Sequence, residues 1–324
     1  MSQTVDLSIP SFPTLFDSSM LSTLDSCERK FYNEYIQHLS PLAISPDLHA
    51  GGAFAEGISV VRTCIYVHQM STDDALAEGT EAMMRYWGDF EPPHNHNKTC
   101  ERMIMALHYY FHEAWPVESD HIHPIMLAGD KPAVEFSFAI PMEVRHPETN
   151  DPITFGGRFD MLGEYRESLL AIVDEKTTKA LGDYWTQQWD MRGQFLGYTY
   201  AAGQHGYRAD ICIIRGIAIL KTKFHHLEVP VTFPNWMVER WWEQANEKVA
   251  RAKAKWLSGE WTYSFGDACS AWGGCTYKSL CMTDKPELQY GNFQRRMWNP
   301  LEKDPTWPIG GPKSEYVGNV NDLK

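Results

Sequence analysis

FGGRFDMLGEYRESLLAIVDEKTT, residues Phe155 to Thr178, is the stretch that decides the fold. SLLAIV is a short apolar run with Gly163 upstream and a charged turn at Glu164 to Glu167, the pattern of a buried strand. ITFGGRFDMLGEY reads as the preceding strand of a hairpin. Side chains alternate across a strand, so Asp174 and Lys176 are expected on one face and Glu175 on the other. The hairpin is predicted to bring Asp160 beside Asp174, so that two carboxylates and an ammonium converge at a strand end.

That trio suits metal-assisted phosphodiester hydrolysis. Magnesium and similar hard cations take oxygen ligands and are commonly held by one or two carboxylates plus substrate phosphate. Asp160 and Asp174 are the candidate ligands, and Lys176 is placed to orient water or to stabilise developing negative charge. Downstream, QFLGY sets Gln194 and Tyr198 four residues apart in a segment with helical spacing, which puts an amide and a phenol on one face.

With these parts in order, the chain resembles the PD-(D/E)XK nuclease superfamily, in its RecB-like branch with iron–sulfur members among AddB-type and CRISPR-associated nucleases and phage relatives. The resemblance runs over most of residues 18 to 281, through SSMLSTLDSCERKFYNEYI, GGAFAEGI (Gly51 to Ile58), VEFSFAI (Val134 to Ile140), GRFDML, VDEKTT, QFLGY and a C-terminal cysteine group. It implies an α/β fold, restriction-endonuclease-like, with a mixed central sheet flanked by helices, an N-terminal helical elaboration and a C-terminal metal-cluster region. It also implies Asp160 and Asp174 as metal ligands, Lys176 as the catalytic lysine, the main-chain carbonyl of Glu175 as a further ligand, and Gln194 and Tyr198 as the QxxxY pair. Many RecB-like members have a histidine where this chain has Ala55. The adjacent Glu56 is either a replacement ligand for magnesium or manganese or a solvent-facing helix residue, and Glu135 is a weaker candidate.

Cys269, Cys275 and Cys281 lie in ACSAWGGCTYKSLC, and Cys27 sits in the N-terminal segment that the family uses for a distant fourth ligand. Four thiolates can hold a [4Fe–4S] cluster. Zinc is the alternative, although the short knuckle usual in structural zinc sites is absent. A cluster here is expected to be structural, joining the two ends of the domain and stabilising the folded state. Cys64, Cys100 and Cys212 fall in apolar or helical contexts and are expected in the core. His94, His96, His121 and His123 read as loop residues, and His225 and His226 as lying between strands.

The chain has 324 residues and 43% hydrophobic content, enough to bury a substantial core. The expected organisation is an extension (1–17), one nuclease domain (18–281) closed by Cys27 and the C-terminal cysteines, and a Pro/Gly-rich tail (282–324). Helices are predicted over 21–36, 53–70, 73–87 with Thr72 as N-cap, 100–115 and about 235–257, and strands over 134–142, 211–220 and 227–233. No apolar run is long enough for a membrane span and no signal region is evident, so a cytoplasmic protein with reduced thiols is expected.

A formal net charge of −13 opposes DNA binding unless cations cluster. KVARAKAKW offers Lys248, Arg251, Lys253 and Lys255 as such a cluster, or as a solvated helix face; Lys221 and Lys223 form a smaller one. The expected activity is a magnesium- or manganese-dependent DNA nuclease acting as an exonuclease in recombination, repair or phage DNA processing, with DNA and recombination or repair proteins as partners. The alternatives are DNA-end trimming for CRISPR adaptation and a catalytically inactive, cluster-stabilised DNA-binding or scaffold subunit.

Overall fold

The computed structural model describes residues 9–127, 131–166, 168–271 and 274–301. In chain order the helices are α1 (Ser18–Ser26), α2 (Glu28–Phe31), α3 (Pro46–Arg62), α4 (Thr72–Trp87), α5 (Cys100–Tyr109), α6 (Asp183–Gln187), α7 (Gly193–Gln204), α8 (Asn235–Ser258) and α9 (Lys278–Cys281). The strands are β1 (Leu15–Phe16), β2 (Leu39–Pro41), β3 (Ile122–Pro124), β4 (Met126–Leu127), β5 (Lys131–Pro132), β6 (Val134–Arg145), β7 (Pro152–Tyr165), β8 (Leu169–Thr178), β9 (Ile211–Ile219), β10 (Phe224–Val231) and β11 (Phe293–Arg295). The chain divides into two compact units. One is drawn from residues 9–43, 138–157 and 236–301, the other from 44–137 and 158–235, and β6 and β7 each contribute residues to both.

In the first unit β1 runs parallel to the start of β7, with Leu15 opposite Thr154 and Phe16 opposite Phe155. Phe16 stacks on Phe31, Phe31 on Trp261, and Trp241 and Trp242 of α8 meet Phe155 edge-on. In the described part of the Pro/Gly-rich tail β11 pairs antiparallel with β2, and just before α9 Tyr277 donates its hydroxyl hydrogen to the carbonyl of Leu39 at 2.7 Å. Residues 302–324, the rest of that tail, lie outside the described residues.

Asp17 caps α1, accepting from the amide of Met20 at 2.7 Å and from Trp298 Nε1 at 3.1 Å. Burial outweighs these bonds and pushes its carboxyl up from 3.8 to about 6. The folded state therefore holds this proton more tightly than the unfolded chain does. The resulting stability is present in full below 3.8 and is lost as pH rises through about 6. Denaturant titrations at several pH values should show a component on the order of 3 kcal/mol in this window that Asp17→Asn removes. An unchanged pH dependence in the variant would refute this assignment.

The second unit is built on the predicted hairpin. The end of β7 pairs antiparallel with β8 (Met161 opposite Val173, Tyr165 opposite Leu169), β8 runs parallel to β9, and β9 pairs antiparallel with β10. The sheet is mixed. Helices α3, α4 and α5 pack on one face with Ile217 and Ile219 of β9. On the other, the ring of Trp185 comes within 2.4 Å of where a Cβ of Gly216 would stand, so this strand position must lack a side chain. Two glycines let α3 and α4 approach: a Cβ on Gly79 would meet the carbonyl of Gly57 at 2.9 Å.

Some boundaries differ from those read in the sequence. Helix α3 begins at Pro46, capped by Ser45, because Pro suits the first helical position. Ser71, not Thr72, caps α4: its backbone is extended and its hydroxyl accepts from the amide of Asp74 at 3.2 Å. His225 and His226 lie inside β10 rather than between strands. Cys64 and Cys212 are buried as expected, and Cys100 is half-buried. Among the described residues, no helix is long and apolar enough to cross a membrane.

Candidate active site

Met161 opposite Val173 is the last registered pair of the hairpin, so Asp160 and Asp174 follow it at the same end. Asp160 Oδ2 accepts from the amide of Glu175 at 3.3 Å. Asp174 is 2% exposed. Its Oδ1 accepts from Gln194 Nε2 at 2.9 Å and its Oδ2 pairs with the ammonium of Lys176. Gln194 stands in the first turn of α7, just after Gly193, and its Nε2 also donates to the Tyr198 hydroxyl at 3.3 Å. The Tyr198 ring packs on Phe159, with centroids 5.2 Å apart. The hairpin and one helical turn thus gather Asp160, Asp174, Lys176, Gln194 and Tyr198.

Burial, and then the charges of Asp174, Glu135 and Glu175, push the Asp160 carboxyl well above the usual carboxylate range. Asp174 is raised by burial, against the pull of Lys176. Burial disfavours charge on Lys176, yet Asp174 and Asp160 hold its ammonium above its ordinary value. Asp174 thus raises Asp160, while Lys176 supplies positive charge beside both. Two such carboxylates and the nearby main-chain carbonyl of Glu175 are hard oxygen donors, the set that magnesium or manganese takes. By this test the residues fit a divalent cation, although among the described residues no group of three or more His, Cys, Asp or Glu side chains stands ready to hold one.

The carboxylate of Glu175 is engaged elsewhere. Arg62, at the end of α3, grips both its oxygens, with Nη1 at 2.9 Å from Oε2, and Tyr110 donates its hydroxyl hydrogen to Oε1 at 2.8 Å. Burial would raise Glu175, but Arg62 outweighs it and holds the carboxyl low. Tyr110 links onward to Arg215, which pairs bidentately with Asp120 at 2.6 and 2.8 Å and with Glu228 at 3.1 Å; Glu228 in turn meets His121 at 2.9 Å. The main-chain carbonyl is then the atom through which Glu175 would reach a metal. Glu135, at φ +52° within β6, pairs with Arg158 at 3.2 Å and lies 3.8 Å from Arg62.

On α3, a Cβ at Gly51 would lie 3.9 Å from Thr177 Oγ1, the Ser59 side chain bonds Glu135, and Arg62 reaches Glu175. Positions 51, 55, 59 and 62 form one stripe toward the end of β8. Ala55 lies on it, and Glu56, half-buried, is turned from it by about 100°.

Lys248, Arg251, Lys253 and Lys255 of α8 are occupied within the first unit. Lys248 and Arg251 pair with Asp25 at 2.6 and 3.4 Å, Lys255 with Glu28 at 3.2 Å, and Lys253 donates to the carbonyl of Arg145 at 2.8 Å. Carboxylates of α1 and α2 offset the charge of Lys248, Arg251 and Lys255.

The four candidate cluster cysteines also fall in the first unit, all free and half-buried. Cys27 caps α2, its sulfur accepting from the amide of Lys30 at 3.4 Å. Burial works against its thiolate, but hydrogen bonds from Ser264 and Lys30 lower it overall. Cys281 is raised by burial and then by the charges of Cys275, Cys27 and Cys269, so the four sulfurs share one neighbourhood. They do not close to ligand spacing. Trp272 and Gly273, between Cys269 and Cys275, lie outside the described residues. Cysteine sulfurs are soft donors that suit thiophilic metals, but among the described residues these four are not gathered into a ligand set.

The buried Arg62–Glu175–Tyr110–Arg215 network escaped the sequence reading. One signal was available: Arg215 interrupts ICIIRGIAI, a strand buried at every position, and a buried arginine requires partners. His96 and His121, read as plain loop residues, face Asp47 at 3.8 Å and Glu228 at 2.9 Å.

A mixed sheet with helices on both faces and a carboxylate pair at a hairpin end defines a restriction-endonuclease-like α/β fold. A sequence model of the PD-(D/E)XK nuclease superfamily matches residues 18–282, and the chain belongs to that superfamily of metal-dependent nucleases. Among solved structures, one titled "Crystal structure of SSO0001" is similar at 11% identity and a TM-score of 0.31, over 74% of this chain and 78% of that one. No curated protein matches the chain.

Proposed function

We propose that the protein is a magnesium- or manganese-dependent deoxyribonuclease of the RecB-like branch, acting as an exonuclease in recombination, repair or phage DNA processing. The observation that supports hydrolysis most is the gathering of Asp160, Asp174 and Lys176 at one buried hairpin end, with Gln194 bonded to Asp174. Asp160, Asp174 and the carbonyl of Glu175 would hold the cation. Once bound, the cation supplies Lewis-acid polarisation of the phosphate and lowers the pKa of a water. Gln194 Nε2 keeps the Asp174 carboxylate oriented, and Tyr198 steadies Gln194. The Lys176 ammonium, favoured by Asp174 and Asp160, would orient the water or stabilise negative charge on the phosphate. Glu56 is kept as a further ligand candidate.

The support for exonuclease action is the order of motifs along the chain. Linear, end-blocked and covalently closed circular DNA, incubated with magnesium or manganese, test it. Only the linear substrate with free ends should be degraded. Cleavage of circles would reject an exonuclease, and no metal-dependent hydrolysis of any form would reject a nuclease.

For the cysteines the proposed cofactor is a [4Fe–4S] cluster on Cys27, Cys269, Cys275 and Cys281, with zinc the competing occupant. Anaerobically purified protein should contain about four irons per chain, lost in Cys275→Ser. Zinc instead of iron would decide for the competitor, and neither metal would end the cluster reading.

A further inference from the structure

Beyond Lys176, the chain runs through Thr177 and Thr178 to Lys179, and here a second group of charges gathers outside the hydrolytic set. Lys98 is buried, its side chain 4% exposed; its Nζ donates to Thr177 Oγ1 at 3.2 Å and lies 3.3 Å from Asp47 Oδ1. Lys179, with a side chain 62% exposed, places its Nζ 2.7 Å from Asp47 Oδ2. His96 Nε2 stands 3.8 Å from Asp47 Oδ1. Two ammonium groups and an imidazole, from two stretches of chain, therefore converge on both oxygens of one carboxylate. That carboxylate is half-exposed and sits in the first turn of α3.

Two oxygens of one anion bridging two ammonium groups is also how a phosphodiester would be held, by point-charge contacts to its non-bridging oxygens. Extended chain rises about 3.3 Å per residue, so Lys179 lies about 10 Å beyond Lys176, the span of one to three nucleotides of backbone. Burial disfavours the charged form of Lys98; Asp47 opposes that effect, whereas Lys179 adds to it. Without an anion between them the two ammonium groups would face each other unscreened. Neither lysine contributes to the catalytic set, and among the described residues the buried Lys98 makes its ion pair with Asp47.

We propose that Lys98 and Lys179 seat a backbone phosphate of bound DNA near the scissile bond, and that Asp47 occupies this seat as a stand-in anion in the free protein. The proposal rests on the nuclease reading. Substrate must displace the carboxylate, which lowers affinity and makes Asp47 a brake on binding. A distinctive consequence follows. Removing one negative charge from Asp47 should tighten DNA binding, whereas a carboxylate that only fastens the N-terminus of α3 would weaken the fold when removed and leave affinity unimproved.

The test is fluorescence anisotropy of the full chain with a labelled DNA duplex, in chelator so that no turnover occurs, over a series of salt concentrations. Asp47→Asn should bind about three- to tenfold tighter than wild type. Lys179→Ala should bind more weakly and lose about one unit of the log–log salt slope. Lys98→Met should behave like Lys179→Ala if it folds; Lys179 is exposed, so its variant keeps the test decisive if Lys98→Met does not. Unchanged or weaker binding by Asp47→Asn with an intact thermal transition, an unchanged slope for Lys179→Ala, or no DNA binding by the wild type would each overturn the proposal. Metal-dependent hydrolysis is scored separately. DNA binding with the expected variant pattern but no hydrolysis overturns the nuclease reading alone, and hydrolysis with indifferent variants overturns the phosphate seat alone.

Discussion

Asp174→Asn is expected to lower metal-dependent DNA hydrolysis by about a thousandfold or more while leaving the protein folded. Asp174 is 2% exposed, receives Gln194 at 2.9 Å and pairs with Lys176. Replacing its charge by an amide removes one of two carboxylates proposed to face the cation. A single unit-charge pair about 4 Å apart contributes about 4 kcal/mol at an effective dielectric near 20. At about 1.4 kcal/mol per decade, that is three orders of magnitude in rate. The thermal transition should remain cooperative. Relief of the charge on Asp160 and of burial at Asp174 opposes the loss of the partner of Lys176. Residual activity equal to wild type would remove Asp174 from the site. A collapse of the thermal transition would make it a structural residue.

Arg62→Met is expected to destabilise the second unit by about 3–5 kcal/mol, the cost typical of leaving a buried charge without its partner. Arg62 is 2% exposed, grips Glu175 through both terminal nitrogens, donates to Tyr110 at 3.3 Å and lies 3.8 Å from Glu135. Its loss takes from Glu175 the guanidinium that grips it and leaves the Tyr110 hydroxyl, whereas Glu135 keeps Arg158. Combining Arg62→Met with Glu175→Leu should recover much of that loss, because a buried pair replaced by apolar groups is often neutral. Urea unfolding of the two single variants and the double variant measures the coupling. If the double variant is as unstable as the sum of the singles, the two side chains do not act as a pair. Hydrolysis should not return with stability in the double variant if the Arg62 clamp also fixes the backbone at Glu175.

The hairpin was legible because its cues are local. The apolar run SLLAIV and the charged turn after Gly163 together specify strands that the structure realises as β7 and β8. A slip by one residue would move Asp174 to the opposite face of the sheet, away from Asp160. The four-residue spacing of Gln194 and Tyr198 was equally local, and the helix delivers both to the same carboxylate side. Helix starts were less legible: Ser45 and Ser71 compete with neighbouring polar residues for the cap, and backbone geometry decides.

The partners of the charges were not legible. Lys248, Arg251 and Lys255 look like a cationic face along one helix, yet Asp25 and Glu28 from more than two hundred residues away meet them. Arg62 and Glu175 are separated by 113 residues, and Lys98 and Thr177 by 79. The sequence by itself determined the strand–turn–strand that carries Asp160, Asp174 and Lys176, because an apolar run and turn chemistry act between near neighbours. Only the tertiary structure decided which charges are paired, which carboxylate is clamped and which lysines converge on Asp47. Coulomb energies depend on distance and burial, and both are set by packing between segments whose separation along the chain leaves no local trace.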